Sequence, residues 1–283
     1  MRISFFGDIH GNEAALEAYL DHLRQLQPDA VYCLGDLVGW LPTGDCTLER
    51  MRALGLPTVA GNHDLLVCGL FPDHPEQLDR MQATAFNAGR LSSLPGALEY
   101  LLNLPLMLEH DDFVVVHHSP FHLPAPGTPP TIACFAYLDE TALAGCLKAW
   151  ARYSKHLIIS GHDHIPGVYE LPGGIASPHL SDLRVYRPSG DQPLTIPLHP
   201  VTRYWVKVGS VGGPYRDGVP AANSALYDSD RGTLTLYRIP YPTGQLRAAL
   251  AGASGKFGRM YFDKAVLQPV FTHGHLNRGL HLE

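Results

Sequence analysis

Five short apolar runs, each followed by a cluster of polar residues, punctuate the first 164 residues of the chain. The runs occupy residues 3–6, 31–34, 58–60, 113–116 and 157–160. They are rich in β-branched and aromatic residues and are bounded by glycine or polar residues, a pattern typical of buried strands. The sequence therefore predicts five strands, each with polar side chains at its downstream end.

Helical periodicity separates these runs. After a candidate N-cap at Asn12, one helix face is apolar at residues 15, 16, 19, 20 and 23. Further helices are predicted over 49–54, over most of 76–102 with a break near 92–96, and over 139–153. This alternation of strands and helices favours βαβ units with helices on both faces of the sheet.

The sequence pattern changes after residue 164. Residues 165–208 hold seven prolines and short alternating runs at 194–198 and 204–208, which favour strands and turns. A hairpin is predicted from 225–228 and 233–237 around Asp230-Arg231-Gly232. No clear linker interrupts the chain, so we expect one domain over 1–283. Within this domain, we expect residues 165–208 to form a β-rich elaboration that serves as a wall, a lid or a dimer contact. Residues 270–283 are expected to form a polar tail.

Bulk composition narrows the function classes. Hydrophobic residues make up 45% and charged residues 17% of the chain, as in ordinary globular proteins. The formal net charge is −6 without a run of lysine and arginine, which argues against duplex nucleic acid as a partner. Five cysteines without a CxxC pair argue against a disulfide framework. The chain opens on a predicted strand and has no long apolar segment, so we expect a cytoplasmic protein without membrane contact.

The polar clusters carry metal-ligand chemistry. Strand ends gather residues from distant parts of a chain into one site, and these ends supply two aspartates, one asparagine and four histidines. The candidate ligands are Asp8, His10, Asp36, Asn62, His117, His162 and His164. Seven ligands are too many for one tetrahedral ion, so two ions that share a carboxylate are the economical solution.

The order of these blocks resembles the calcineurin-like metallophosphoesterase superfamily. The blocks that carry the resemblance are Asp8-Ile9-His10-Gly11-Asn12, Gly35-Asp36-Leu37-Val38-Gly39, Gly61-Asn62-His63-Asp64, His117 and Gly161-His162-Asp163-His164. A later loop, Gly209-Ser210-Val211-Gly212 with Arg216-Asp217-Gly218, resembles that of the small bacterial branch, which includes phosphodiesterases and dinucleoside polyphosphate hydrolases. The resemblance runs from residue 2 to about residue 250.

This resemblance implies a fold and a set of roles. The implied fold is an α/β (α+β) four-layer β-sandwich flanked by helices. Asp8, His10, Asp36 and His164 would hold a first ion, and Asp36 would bridge to a second ion held by Asn62, His117 and His162. His63 would face the substrate phosphate, and Asp64 would steady its ring. The two divalent ions are expected to be Mn²⁺, while iron, zinc, cobalt and nickel also suit such ligands.

Several residues depart from the family pattern. His118 stands where glycine is common, Asp163 where a hydroxyl residue is usual, and Lys207-Val208 where the bacterial branch often has asparagine-proline. The metal ligands are untouched, so these departures bear on substrate preference. We expect His118 to contact substrate, with simple packing as the alternative, and Arg216 to contact phosphate or substrate, with a structural salt bridge as the alternative.

The sequence therefore predicts a dinuclear metal-dependent phosphoesterase. It would hydrolyse a phosphodiester or phosphoanhydride of a small nucleotide by attack of a metal-bridging hydroxide. Two alternatives stay open: a serine/threonine protein phosphatase, which shares the metal motifs, and a scaffold that has lost the chemistry. A homo-oligomer is also compatible with the sequence.

Overall fold

Two mixed β-sheets form the centre of the computed structural model, which describes residues 1–72 and 78–253. The strands are β1 (Arg2–Phe6), β2 (Ala30–Cys33), β3 (Met107–Glu109), β4 (Phe113–Val116), β5 (Leu157–Ser160), β6 (Gly167–Leu171), β7 (Arg184–Tyr186), β8 (Leu194–Pro197), β9 (Arg203–Lys207), β10 (Ala221–Asp228) and β11 (Thr233–Pro240). The first sheet has the order β2-β1-β10-β11-β8, and the second has β3-β4-β5-β9-β6-β7. The predicted tail at 270–283 lies outside the described residues.

Helices occupy the connections between strands. They are α1 (Glu13–Leu26), α2 (Gly44–Leu54), α3 (Asn62–Val67), α4 (Leu78–Leu91), α5 (Ala97–Leu102), α6 (Glu140–Ala151) and α7 (Gly244–Ala253). The side chain of Asn12 caps α1 by accepting a hydrogen bond from the Ala15 amide, as the sequence predicts. Among the residues that the structure describes, no helix is both long and apolar enough to cross a membrane.

Three apolar clusters bind the layers together. Phe5, Val115 and Ile159 are fully buried in the cluster between the two sheets. A second cluster joins α1 and its neighbours to the outer face of the first sheet, and a third packs α6 against the second sheet through Trp150 and Trp205. The resulting order of helices, sheet, sheet and helix confirms the expected four-layer α/β fold.

The parallel strands bring the polar clusters to one edge. Strands β1 and β2 are parallel in the first sheet, and β4, β5 and β9 are parallel in the second. Because the carboxyl ends of parallel strands meet at the same edge, the loops after these five strands converge. The β1-α1-β2 unit matches the predicted βαβ pattern, whereas β10, β11 and β8 join the first sheet antiparallel.

One predicted strand is wrong. Residues 58–60 form only a single bridge, between Thr58 and Cys33. The run cannot extend because the chain turns at Gly61 directly into α3, where the Gly61 amide donates to the Asp64 carboxylate. The sequence also did not predict α3 itself, and α2 begins at Gly44 rather than residue 49. Residues 165–208 contain β6 to β9.

Candidate metal centre

Left-handed backbone marks the loops that follow β1, β2 and β5. Positive φ angles of 51° to 69° occur at Asp8, His10, Asp36, His162 and His164. Among the non-glycine residues that the structure describes, the one other residue with a positive φ angle is Gln27, at the end of α1. Such conformations cost about 1–3 kcal/mol each and concentrate at functional sites. The strain therefore falls on five of the seven predicted ligands.

The first group of ligand atoms gathers Asp8, His10 and His164. The Nε2 atoms of His10 and His164 lie 3.1 Å apart, and His164 Nε2 lies 3.2 Å from Asp8 Oδ1. All three side chains are buried. They come from loops after β1 and β5, so residues of both sheets build this group.

A second group surrounds His117. Its Nε2 atom lies 3.2 Å from Asn62 Oδ1, 3.3 Å from His162 Nδ1 and 3.3 Å from Asp36 Oδ2. Asp36 Oδ2 also lies 3.5 Å from His10 Nε2 in the first group. The Asp36 carboxylate therefore stands between the two groups, where a shared ligand has to be.

These spacings fit a metal centre. Two atoms about 2.1 Å from one ion lie roughly 3.0–3.4 Å apart at octahedral or tetrahedral angles. Five separations within the two groups, 3.1 to 3.3 Å, fall in that range, and the Nε2 atom of His10 lies farther from Asp8 Oδ1, at 3.8 Å. Two groups with one carboxylate between them match the donor set of a dinuclear site.

Outer hydrogen bonds fix the orientation of two imidazoles. His117 Nδ1–H donates to the Leu34 carbonyl at 2.6 Å, and His164 Nδ1–H donates to the Pro214 carbonyl at 2.9 Å. Because a carbonyl only accepts, each Nδ1 carries a proton, and Nε2, the nitrogen that faces the other ligands, holds the lone pair of the neutral ring. This tautomer is the one that a metal-binding imidazole needs.

The ionisation of the site favours a bound cation. Burial lowers the pKa of His10 and of His162, so both imidazoles are neutral and able to bind a metal. Burial would also lower the pKa of His117, but the nearby Asp36 carboxylate raises it to about 9. Although burial opposes it, the pKa of Asp36 stays well below its usual range because of His117 and His63. A positive charge is thus stabilised beside Asp36.

Two positions require glycine because a neighbouring carboxylate occupies the space that a Cβ atom would need. A Cβ atom on Gly161 would lie 2.1 Å from Asp8 Oδ2, and one on Gly61 would lie 2.0 Å from Asp36 Oδ1. Any residue larger than glycine at either position would therefore collide with a predicted ligand.

His63 and Asp64 take different places beside this arrangement. The His63 amide donates to Asp36 Oδ1 at 2.8 Å, and its half-buried ring stands perpendicular to that of His10 with centroids 4.6 Å apart. The Asp64 carboxylate accepts from the amides of Asp36, Leu37 and Gly61 at 2.8, 2.8 and 3.1 Å. Asp64 therefore holds the Asp36 loop in place, and the expected support of the His63 ring stays a prediction.

Two residues that sequence reasoning did not assign also shape the centre. Ser210 Oγ–H donates to the Asp8 carbonyl at 2.8 Å, and Asn12 Nδ2–H donates to the Gly212 carbonyl at 2.9 Å. These bonds tie the loop after β9 to the loop that carries Asp8. The glycine-serine pattern was the available signal for Ser210, whereas Asn12 was predicted only as a helix cap.

Of the two predicted substrate contacts, His118 lies next to His162, and Arg216 lies one aromatic ring away from it. His118 is 2% exposed, its ring centroid lies 5.1 Å from that of His162, and burial together with the Lys207 charge lowers its pKa to about 3. Tyr137, which the sequence did not single out, stacks on His162 with centroids 4.8 Å apart. The Arg216 guanidinium lies 4.7 Å over the Tyr137 ring and donates to its hydroxyl.

Comparisons with known proteins agree with this geometry. A family model for calcineurin-like phosphoesterases matches residues 1–166, which contain all seven predicted ligands. An uncharacterized protein of Methanocaldococcus jannaschii is 27% identical over 246 residues, covering 84% of this chain and 87% of that protein. The crystal structure of a metallophosphoesterase from Sphaerobacter thermophilus is 28% identical, with a TM-score of 0.68 over 89% of this chain and 94% of that one.

A more local similarity concerns an enzyme that is named for its activity. The symmetrical bis(5'-nucleosyl)-tetraphosphatase of Vibrio campbellii is 33% identical over 115 residues. The match covers 39% of this chain and 42% of that protein.

Proposed function

The chain belongs to the calcineurin-like phosphoesterase family, and on that premise we propose that it hydrolyses a phosphodiester or phosphoanhydride bond of a small nucleotide. The family hydrolyses small phosphoesters with a dinuclear divalent metal centre. The observation that carries the proposal is the position of Asp36 Oδ2, 3.5 Å from His10 Nε2 and 3.3 Å from His117 Nε2. A carboxylate between two ligand groups is the device that joins two ions into one reactive centre.

We assign the ligands to two metal positions. Asp8, His10, Asp36 and His164 hold the first ion, and Asp36, Asn62, His117 and His162 hold the second. Manganese is proposed because the set mixes carboxylate, carboxamide and imidazole donors without thiolate. When bound, the ions acidify the attacking water and neutralise charge that develops on the phosphoryl oxygens.

His63 is proposed as the residue that meets the leaving group. Its backbone is fixed to Asp36 and its ring packs at right angles to His10, so the imidazole is held at the edge of the metal centre. Its half-buried position leaves part of the ring open to substrate. From there the protonated ring donates its proton to the departing oxygen, a step that general acids accelerate by about 10²–10⁴-fold.

The substrate class rests on two further observations. The similarity to a symmetrical bis(5'-nucleosyl)-tetraphosphatase supports dinucleoside polyphosphates as the first substrates to test. Arg216, one aromatic ring away from His162, adds a guanidinium beside the metal positions. A planar cation in this position suits a second phosphate of an extended polyphosphate chain.

The proposal is tested with a substrate panel. Purified protein is treated with a chelator, dialysed, and assayed with Mn²⁺, Fe²⁺, Zn²⁺, Co²⁺ or Ni²⁺ on a dinucleoside tetraphosphate, a cyclic nucleotide, a nitrophenyl diester, a nitrophenyl monoester and a phosphoserine peptide. We expect metal-dependent turnover that is highest on the anhydride or diester. Preference for the phosphopeptide would overturn the substrate class in favour of a protein phosphatase, and no turnover with any metal would overturn the enzyme assignment.

Variants sharpen this test. Asp36→Asn removes one charge from the carboxylate that both groups share, so turnover should fall by more than about 100-fold. The matched control is His199→Gln, a change at an exposed histidine in the segment between β8 and β9. It should leave turnover unchanged.

A further inference from the structure

A second cluster of metal-competent side chains lies next to the proposed dinuclear centre. The carboxylate and imidazole ligand atoms of His118, His162 and Asp163 lie within 4.8 Å of one another. His162 belongs to both clusters, because its Nδ1 atom faces His117 at 3.3 Å. Whatever the second cluster does therefore acts through a proposed ligand of the second ion.

The polar atoms of this cluster lack protein partners. His162 Nε2, both ring nitrogens of His118 and Asp163 Oδ1 are buried and make no hydrogen bond to the residues described. His118 and His162 are 2% and 4% exposed. Each such atom costs about 1–3 kcal/mol if it stays unpaired. His117 and His164 donate their outer N–H to carbonyl groups, so His162 differs from them.

The charge beside this cluster selects the kind of partner. Lys207 Nζ lies 2.7 Å from Asp163 Oδ2, and its ammonium group repels a third cation. A neutral oxygen fits the cluster better than a metal ion.

We propose that His118, Asp163 and Lys207 are positioning residues for the second metal ion. They hold a water-sized oxygen that accepts the Nε2–H of His162, and the buried ion pair with Lys207 keeps the Asp163 carboxylate in place for that task. The inference rests on the proposed dinuclear centre. A fixed proton on Nε2 leaves the Nδ1 lone pair for the metal, and outer partners of this kind raise metal affinity roughly 10–100-fold.

All three positioning residues occupy positions at which the chain departs from the family pattern. His118, Asp163 and Lys207 come from three different loops or strands, yet their side chains meet beside one ligand. Their meeting indicates that the departures act as a unit. A change at one of them should therefore depend on the others.

Metal titration of the apoprotein tests the inference without any substrate. Isothermal calorimetry with Mn²⁺ should resolve two equivalents in the wild-type protein. His118→Leu keeps the volume but removes both nitrogens, so affinity for the second equivalent should fall roughly 10–100-fold while the first is unchanged. His118→Gln restores a hydrogen-bonding group and should recover part of the loss. His199→Leu makes the same change at an exposed site and should alter neither equivalent.

A double-mutant cycle covers the possibility that His118→Leu does not fold. Asp163→Asn and Lys207→Met each break the ion pair, and the double variant removes it without leaving a buried charge alone. Each single change should lower the affinity for the second Mn²⁺ equivalent. In the double variant, the loss of binding free energy should be smaller than the sum of the two single losses. Electron paramagnetic resonance of bound Mn²⁺ should show loss of the coupled dinuclear signal in the weakened variants.

The outcomes separate this inference from the proposed function. If the wild-type protein binds fewer than two equivalents of Mn²⁺, the dinuclear centre itself is wrong. If it binds two, and His118→Leu and Asp163→Asn both bind the second as tightly as the wild type, the positioning role alone is overturned. A third equivalent that His118→Leu abolishes would contradict the assignment of an oxygen and assign the cluster to a metal ion.

Discussion

The Nε2 atoms of His10 and His164 lie 3.1 Å apart, although 154 residues separate them in the sequence. His164 is oriented by its hydrogen bond to the Pro214 carbonyl, so its lone pair faces His10. Two imidazole nitrogens at this distance suit neighbouring ligands of one ion better than a direct contact. The relationship links the first strand of one sheet to the third strand of the other.

Removing one member of this pair should empty the first metal position. His164→Ala deletes a ligand while its neighbours remain, so the first Mn²⁺ should bind more than about 100-fold more weakly. Turnover should fall with it. Metal content after gel filtration, measured by mass spectrometry, checks the prediction, and retention of two ions per chain would contradict it.

Gly161→Ala should disrupt the same position from the backbone. The added Cβ would lie 2.1 Å from Asp8 Oδ2, so the carboxylate or the loop has to move. Overpacking of this kind costs about 1–3 kcal/mol of unfolding free energy and should also weaken the first Mn²⁺. Gly145→Ala, in α6 with open space around its Cβ position, is the matched control and should stabilise by up to about 1 kcal/mol.

Denaturant unfolding and calorimetry with Mn²⁺ together check the glycine pair. If the Gly161→Ala protein has the same unfolding free energy and the same Mn²⁺ affinity as the Gly145→Ala protein, the Asp8 loop is not packed as described.

Metal binding should release a proton from His117. Its pKa is about 9 in the metal-free site, so the imidazole carries a proton at pH 7 that it must lose to bind a metal. Affinity for the second ion should therefore rise about tenfold per pH unit below 9 and level off above it. Calorimetry in buffers of different ionisation enthalpy counts the protons released, and a count of zero at pH 7 would contradict the account.

Arg216 offers a test of substrate binding that spares the metals. Arg216→Ala removes a guanidinium that lies over Tyr137 beside His162. KM for a dinucleoside polyphosphate should rise about tenfold, as expected for loss of one charge-assisted contact, while the Mn²⁺ stoichiometry stays the same. An unchanged KM would place the substrate elsewhere on the protein.

Much of the clustering of the candidate ligands could be predicted from the sequence because these residues follow strands directly. Asp8, Asp36, His117 and His162 each come shortly after a short apolar run, so parallel strands alone bring them to one edge. Helix α1 and its apolar face followed from the periodicity after Asn12. These signals are local, and local signals are what a single sequence carries.

Other features depend on contacts between distant residues and could not be read in the same way. The run at 58–60 looks like a strand, but the turn at Gly61 into α3 stops the pairing after one bridge. The meeting of Asp163 with Lys207 joins the loop after β5 to the end of β9, and only the register of those strands places the two side chains together. The stack of Tyr137 between His162 and Arg216 has no sequence pattern of its own.

Whether two ions joined by Asp36 form the reactive centre is best decided by a Mn²⁺ titration of turnover. Metal-depleted protein is assayed on a dinucleoside tetraphosphate while Mn²⁺ is added in fractions of an equivalent, with Asp36→Asn in parallel. Turnover should rise until two equivalents are bound, and Asp36→Asn should stay near background throughout. Full turnover with one equivalent, or with none, would rule out a reactive centre of two ions.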